Sequence, residues 1–211
     1  MFLRHLHHLA LAALIFCALP ASAAEPGAPR TAYKHKNLLT RCAHAFWGLD
    51  APVATFAAQI HAESLWRAEA KSPAGAMGMA QFMPKTADWI ANLYPHLADN
   101  APYNPAWALR ALVTYDRFLW RRVSAANTCE RMAKVLSAYN GGLGWLKKDE
   151  ALALEKGLDP ALWFDNTEGV NSGRSRAAKR ENRAYPKRIL LDLEPLYIRA
   201  AFGRGSCEER R

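Results

Sequence analysis

Beyond residue 30 this sequence lacks any convincing run of alternating polar and apolar residues and any hairpin turn signal, which excludes a large sheet. It has no internal repeat, and after its first residues nothing approaches the ~20 continuous apolar residues of a membrane-spanning helix. Cysteine is scarce, at four residues, and no CxxC or Cys/His spacing points to zinc. Histidine is scarce where chemistry gathers. Five of the seven (His5, His7, His8, His35 and His44) precede the region with catalytic character, which argues against a histidine-driven mechanism. Acidic residues are the minority, 19 against 28 Lys and Arg, for a formal charge of +9.

What the chain does contain is core. A content of 51% hydrophobic and 22% charged residues over 211 positions excludes disorder and predicts one globular domain. The opening residues combine Arg4, an apolar run from Leu9 to Leu19, and the small-x-small sequence Ala21-Ser22-Ala23. That pattern predicts a signal peptide over 1–23 and an exported protein, periplasmic or otherwise extracytoplasmic. Cys17 lies in the apolar run without the small residue a lipobox places before it, so no membrane anchor is expected. A basic surface suits nucleic acid, anionic lipid or an anionic cell wall, and export disfavours nucleic acid. In an oxidising compartment Cys42, Cys129 and Cys207 can form at most one bridge. Cys42 with Cys129 is the expected pair, both placed away from the groove, because Cys207 falls in a polar tail, 206–211, expected to fray. Residues 24–36, with "EPGAPR", read as a flexible leader, and 37–205 as the domain.

Start and stop signals divide that domain into helices. Asp50-Ala51-Pro52 opens one, Asn104-Pro105 another, and Asn127 with Glu130 a third that Gly141-Gly142 stops. Asp159-Pro160 predicts a short helix, and a basic helical region runs from about 175 to 202, to be kinked or split by Pro186 and Pro195. The expected fold class is an all-α globule.

One carboxylate stands out. Glu63 follows Ile60 by three residues and Phe56 by seven, on the apolar face at the end of its helix. Desolvation and the negative helix C-terminus both raise a carboxyl pKa, as a general acid requires. The competing reading is an ion pair with Arg67 at i+4. After Glu63 the chain breaks into Ser72-Pro73-Ala74-Gly75, a turn signature, and Gly78 between Met77 and Met79, where backbone can approach closely. Gln81 adds a donor and acceptor, Met79 and Met83 adaptable apolar surface, and Pro84 restarts a helix.

The segment "ESLWRAEAKSPAGAMGMAQFMP" resembles the first catalytic motif of the soluble lytic transglycosylases, lysozyme-like enzymes of the glycoside hydrolase 23 class. "SAYNGG" and "ENRAYPKRIL" resemble the family's alanine-tyrosine-asparagine and glutamate-threonine-arginine-x-tyrosine motifs, in the family's order. Ala80 stands where the family carries methionine, Asn182 replaces threonine and Pro186 replaces valine. The 141–180 stretch is longer than the family pattern and is expected to form an extra lobe beside the groove. The resemblance implies a lysozyme-like helical globule with a substrate groove, no cofactor, a monomer, and peptidoglycan glycan strands as the partner. It implies Glu63 as the catalytic acid and later base. Ser72 and Gln81 would hold acetamido and hydroxyl groups, and Met79 and Met83 would form the floor. Tyr139 would hold Glu63, Asn140 would fix the groove wall, and Glu181 and Tyr185 would close the opposite side. Each has a plainer reading: Ser64 as a helix cap, Tyr139 as core, Glu181 as partner of Arg176 or Arg188. The competing activity is a hydrolytic muramidase with a second carboxylate, Glu69 being the nearest in sequence; a non-catalytic wall-binding protein is a third possibility.

Overall fold

The computed structural model describes residues 27–207. The expected signal peptide and the end of the polar tail, 208–211, lie outside the described residues. The described chain is helical: α1 (Arg30–Trp47), α2 (Val53–Ser64), α3 (Pro84–Leu93), α4 (Pro105–Trp120), α5 (Thr128–Gly141), α6 (Leu143–Glu155), α7 (Arg176–Lys187) and α8 (Glu194–Arg199). A π-helical stretch, Arg188–Leu193, joins α7 to α8. Strand character among the described residues is limited to two isolated bridges, Lys71 with Met77 and Met77 with Phe82. The all-α expectation holds, and no described helix is long and apolar enough to cross a membrane.

Local signals set most helix starts. The Asn104 side chain accepts from the Ala106 and Trp107 amides, and that of Asn127 from Glu130, satisfying first-turn donors that the helix itself leaves open. α2 is the centre of the molecule. Every residue from Val53 to Ile60 is buried, and the helix packs against α1, α8 and the π-helical stretch. A stretch enclosed on all faces blurs the amphipathic stripe, so periodicity places Glu63 on an apolar face but does not reveal the helix as the central element.

Three boundaries differ from expectation. The leader does not reach 36, because α1 begins at Arg30. Its first turns are held by buried Ala32 and by Tyr33, whose ring centroid lies 5.6 Å from that of Phe202. The short helix at Asp159-Pro160 is a turn: Asp159 Oδ1 accepts from the Ala161 amide at 2.7 Å, and Ala126 N donates to Ala161 O at 3.0 Å. The tail at Ser206 and Cys207 is buried. The Glu194 carboxylate accepts from the Ser206 amide at 2.8 Å and the Cys207 amide at 3.0 Å, and Thr55 Oγ1 donates to it at 2.5 Å.

That anchoring overturns the disulfide expectation. The bridge is Cys129–Cys207, and Cys42 is a free, buried thiol on α1. The sequence of 206–211 predicts a frayed tail, but the buried Glu194 needs hydrogen-bond donors and takes them from the Ser206 and Cys207 amides.

The 141–180 stretch packs on α5 through buried polar groups. Glu130 accepts from the Trp163 amide at 2.7 Å and the Phe164 amide at 3.0 Å, with Trp163 fully buried. Buried Lys134 donates to Ser124 O at 3.0 Å, to Pro160 O and to Glu150.

Pro186 lies inside α7 and Pro195 in the first turn of α8. Pro186 has no N–H for the carbonyl of Asn182, and the helix widens into its π-helical stretch directly afterwards.

Candidate active site

α2 ends abruptly, and its end is the site. Leu65 (φ 54°) and Trp66 (φ 65°) are consecutive left-handed residues, a costly backbone for side chains of this size. Trp66 holds it, with its ring buried and Nε1 donating to Tyr197 Oη at 2.6 Å. The chain then turns through Ser72–Gly75 and returns alongside the helix end. Ser64 Oγ, the residue after the acid, donates to Met79 O at 2.8 Å and ties the two together.

Gly78 makes the return possible. At φ +70° a Cβ there would stand 1.8 Å from the Pro102 carbonyl oxygen, a backbone atom with no rotamer to move. Gly78→Ala is expected to lower unfolding free energy by more than about 2 kcal/mol, from left-handed strain plus that collision. Denaturant titration measures it; a loss within experimental error would mean Pro102 is free to retreat.

The groove so formed encloses about 260 Å³ and is lined by Glu63, Ser72, Gln81, Met83, Tyr139, Asn140 and Glu181, with Phe82 and Tyr115. Six of the expected site residues besides Glu63 therefore meet in one cavity. Gln81, in the left-handed region at φ 49°, is pinned by Nε2 donating to Gly78 O at 2.8 Å. Ser72 Oγ accepts from the Ala76 amide at 2.9 Å, shaping the turn as well as facing the groove. Asn140 Nδ2 approaches Glu181 Oε1 at 3.5 Å. Glu181 thus faces the groove instead of pairing with Arg176 or Arg188.

Three roles change. Met79 is fully buried beneath the wall and gives its carbonyl to Ser64, so the exposed apolar surface comes from Met83. Tyr139 does not hold Glu63: its hydroxyl donates to Ala80 O at 2.7 Å, bracing the wall. Tyr185 holds the acid instead, its hydroxyl donating to Glu63 Oε1. Burial pushes the Tyr185 phenol well above its ordinary range, so it remains a donor. The ion pair weighed for Arg67 does not form in this arrangement, where Arg67 Nε donates to Ser64 O at 3.0 Å.

Burial raises the Glu63 carboxyl from 4.5 to about 7, working against the Tyr185 hydrogen bond and aided by the charge of Glu181. Protonated and ionised forms are then both populated near neutrality, as a group that gives a proton and takes one back requires.

Sequence reading missed what lies behind the acid. Asp116 of α4 is fully buried, and Gln59, one turn before Glu63, donates to its Oδ1 at 3.5 Å. Desolvation pushes the Asp116 carboxyl well above its ordinary range. Its Oδ2 and Gln59 Oε1 have no hydrogen-bond partner among the described residues, and a proton on Asp116 turns one of these two acceptors into a donor. Asn182 was likewise read as a simple departure. Its amide donates to Ser137 O at 2.8 Å and Asn140 Oδ1 at 3.1 Å, and its oxygen accepts from Ser137 Oγ at 2.9 Å. That network sets the groove residue Asn140. Asp116 resembles any surface aspartate in sequence, and only α4 packing on the acid's helix distinguishes it.

The family model for the transglycosylase SLT domain matches residues 45–160, which carry Glu63, Gln81, Tyr139 and Asn140. Over 110 residues the chain is 33% identical to the membrane-bound lytic murein transglycosylase F of Vibrio parahaemolyticus, covering 52% of this chain and 20% of that protein. Over 104 residues it is 35% identical to the protein of the same name from Hahella chejuensis, covering 49% of this chain and 19% of the relative. The chain thus matches about a fifth of the length of these curated relatives. Glu181 and Tyr185 lie beyond the matched stretch and reach the acid through the fold. A match across most of the groove, on an all-α fold that closes around the expected acid, means that the chain belongs to the transglycosylase SLT domain family.

Proposed function

We propose that this protein is an exported, monomeric peptidoglycan lytic transglycosylase that cuts the β-1,4 bond between N-acetylmuramic acid and N-acetylglucosamine without consuming water. The observation that carries the reading is Glu63, raised to about 7 by burial and held by Tyr185 in a cavity lined with side chains able to hold a sugar. The relatives' printed name and the motif order support the same assignment, and the basic chain suits an anionic wall better than nucleic acid once export is accepted.

Glu63 donates its proton to the glycosidic oxygen as the C1–O bond breaks, and the sugar's own N-acetyl oxygen stabilises the cationic centre. The C6 hydroxyl then bonds to C1 and returns its proton to Glu63, closing a 1,6-anhydro ring. The intramolecular hydroxyl has the advantage of tethering over a diffusing water.

Among the described residues Glu181 is the other carboxylate facing this cavity, and a hydrolytic muramidase would use it as the base. Digestion of purified murein in oxygen-18 water separates the two. The expected products carry 1,6-anhydro-muramic ends without label; heavy oxygen at new muramic ends would reassign the protein as a muramidase.

A further inference from the structure

A second cavity of about 290 Å³ opens beside the groove and shares Asn140 and Glu181 with it. Its remaining wall comes from the stretch longer than the family pattern and the start of α7: Trp145, Gly173, Arg174 and Ser175, with Gly141 at the end of α5.

This cavity is positive from beneath. Arg174 Nη1 and Arg183 Nη2 both donate to Asp149 Oδ2, so two guanidinium groups share one fully buried carboxylate. The Asp149 amide-facing oxygen, Oδ1, is already taken by Ser172 N at 3.0 Å and Ser172 Oγ at 2.7 Å. One positive charge is left over. Arg174 is 8% exposed, and its Nη2 has no hydrogen-bond partner among the described residues, an arrangement that costs free energy unless something else accepts from it.

Gly141, itself in the cavity wall, sets no side chain against that buried nitrogen. A Cβ at Gly141 would stand 3.5 Å from Arg174 Nη2 and 2.6 Å from Asn182 Nδ2. Trp145 forms a flat side, with the Arg174 guanidinium 5.3 Å and Lys148 Nζ 4.8 Å from its ring centroid. Ser175, the residue that caps α7, and Ala178 of its first turn line the same cavity, so the positive end of that helix borders it. The unpartnered guanidinium nitrogen and the helix end are independent features, and both call for an anion.

We propose that this side cavity is a carboxylate-binding subsite for the peptide branch of the strand whose sugars occupy the Glu63 groove. The proposal rests on the reading of that groove as a peptidoglycan site. Sharing Asn140 and Glu181 with the groove favours a ligand attached to the one held there. A peptide branch brings carboxylates for Arg174 and the positive end of α7, and amide N–H groups for Glu181, which would repel a bare anion at the rim. Trp145 covers the peptide's flat, partly apolar backbone.

The test compares kcat/KM on peptide-bearing strands and on strands stripped by an amidase, which expose the lactyl carboxylate instead. The wild-type protein is expected to prefer peptide-bearing strands about tenfold or more, the value of one charge-assisted hydrogen bond. Arg174→Gln and Trp145→Ala should bring that preference to within about twofold by raising KM at unchanged kcat, with stripped-strand turnover as in wild type. Equal wild-type turnover of the two substrates overturns the subsite, and an equal loss on both in Arg174→Gln assigns the cavity to the lactyl carboxylate and overturns the peptide reading. Should Arg174→Gln not fold, Trp145→Ala carries the same comparison. Calorimetric titration of the Glu63→Gln protein with free L-alanyl-D-glutamate reads binding without turnover: heat lost on adding Trp145→Ala supports the subsite, and no heat in the parent overturns it. Failure to cleave either substrate would sink the lyase reading, while the titration still decides the subsite.

Discussion

Glu63→Gln is expected to reduce release of soluble fragments from murein by at least about a thousandfold while leaving the helical fold intact. The amide keeps the shape and the hydrogen bond from Tyr185 but cannot give up a proton, and general acid–base catalysis contributes roughly 10²–10⁴-fold per step. The same variant should be more stable than the parent at neutral pH. Glu63 has a folded pKa raised by burial from 4.5 to about 7, so its favourable contribution is complete below the unfolded value and is lost as pH rises through about 7. At 1.36 kcal/mol per unit the loss reaches about 3 kcal/mol above that window, and glutamine does not suffer it. The two proteins should therefore unfold alike near pH 4 and diverge toward pH 8, the variant being the more stable. Activity within about tenfold of the parent, or a variant less stable at pH 8, would place the acid elsewhere.

Breaking the Cys129–Cys207 bridge is the second large effect, and it falls on stability. The bridge spans 78 residues of sequence, from the first turn of α5 to the C-terminal segment held by Glu194 of α8. Closing a loop of that length removes about 4 kcal/mol of chain entropy from the unfolded state. Cys207→Ser, or reduction of the parent, should lower unfolding free energy by about that amount and release the C-terminal segment from Glu194. Cys42→Ser should leave the bridge intact, and non-reducing peptide mapping should recover residues 129 and 207 in one linked fragment. A parent protein indifferent to reductant would show that the bridge does not form in solution.

Much of this molecule is written locally. Asn104 and Asn127 mark their helix starts because a side-chain oxygen two or three residues before a free amide caps it whatever the rest of the chain does. Glu63 could be singled out because its place on an apolar helix face and the glycine-rich break after it are both short-range patterns. Gly78 was readable for the same reason: only glycine tolerates φ +70° against a backbone carbonyl. The groove residues Ser72, Gln81, Met83, Tyr139, Asn140 and Glu181 came from motifs, and packing brought them to one cavity.

What the tertiary structure alone decided is who pairs with whom. Sequence placed a tyrosine on the acid, but Tyr139 and Tyr185 were both available, and the widened turn after Pro186 accompanies the one that reaches it across 122 positions. Asp116, the Arg174 cavity and the partner of Cys129 are of the same kind. Each depends on a buried group drawing a distant partner, as Glu194 draws the amides of Ser206 and Cys207. Helical periodicity states which residues go inside; desolvation, acting only once helices have packed, selects the partner each buried polar group must find.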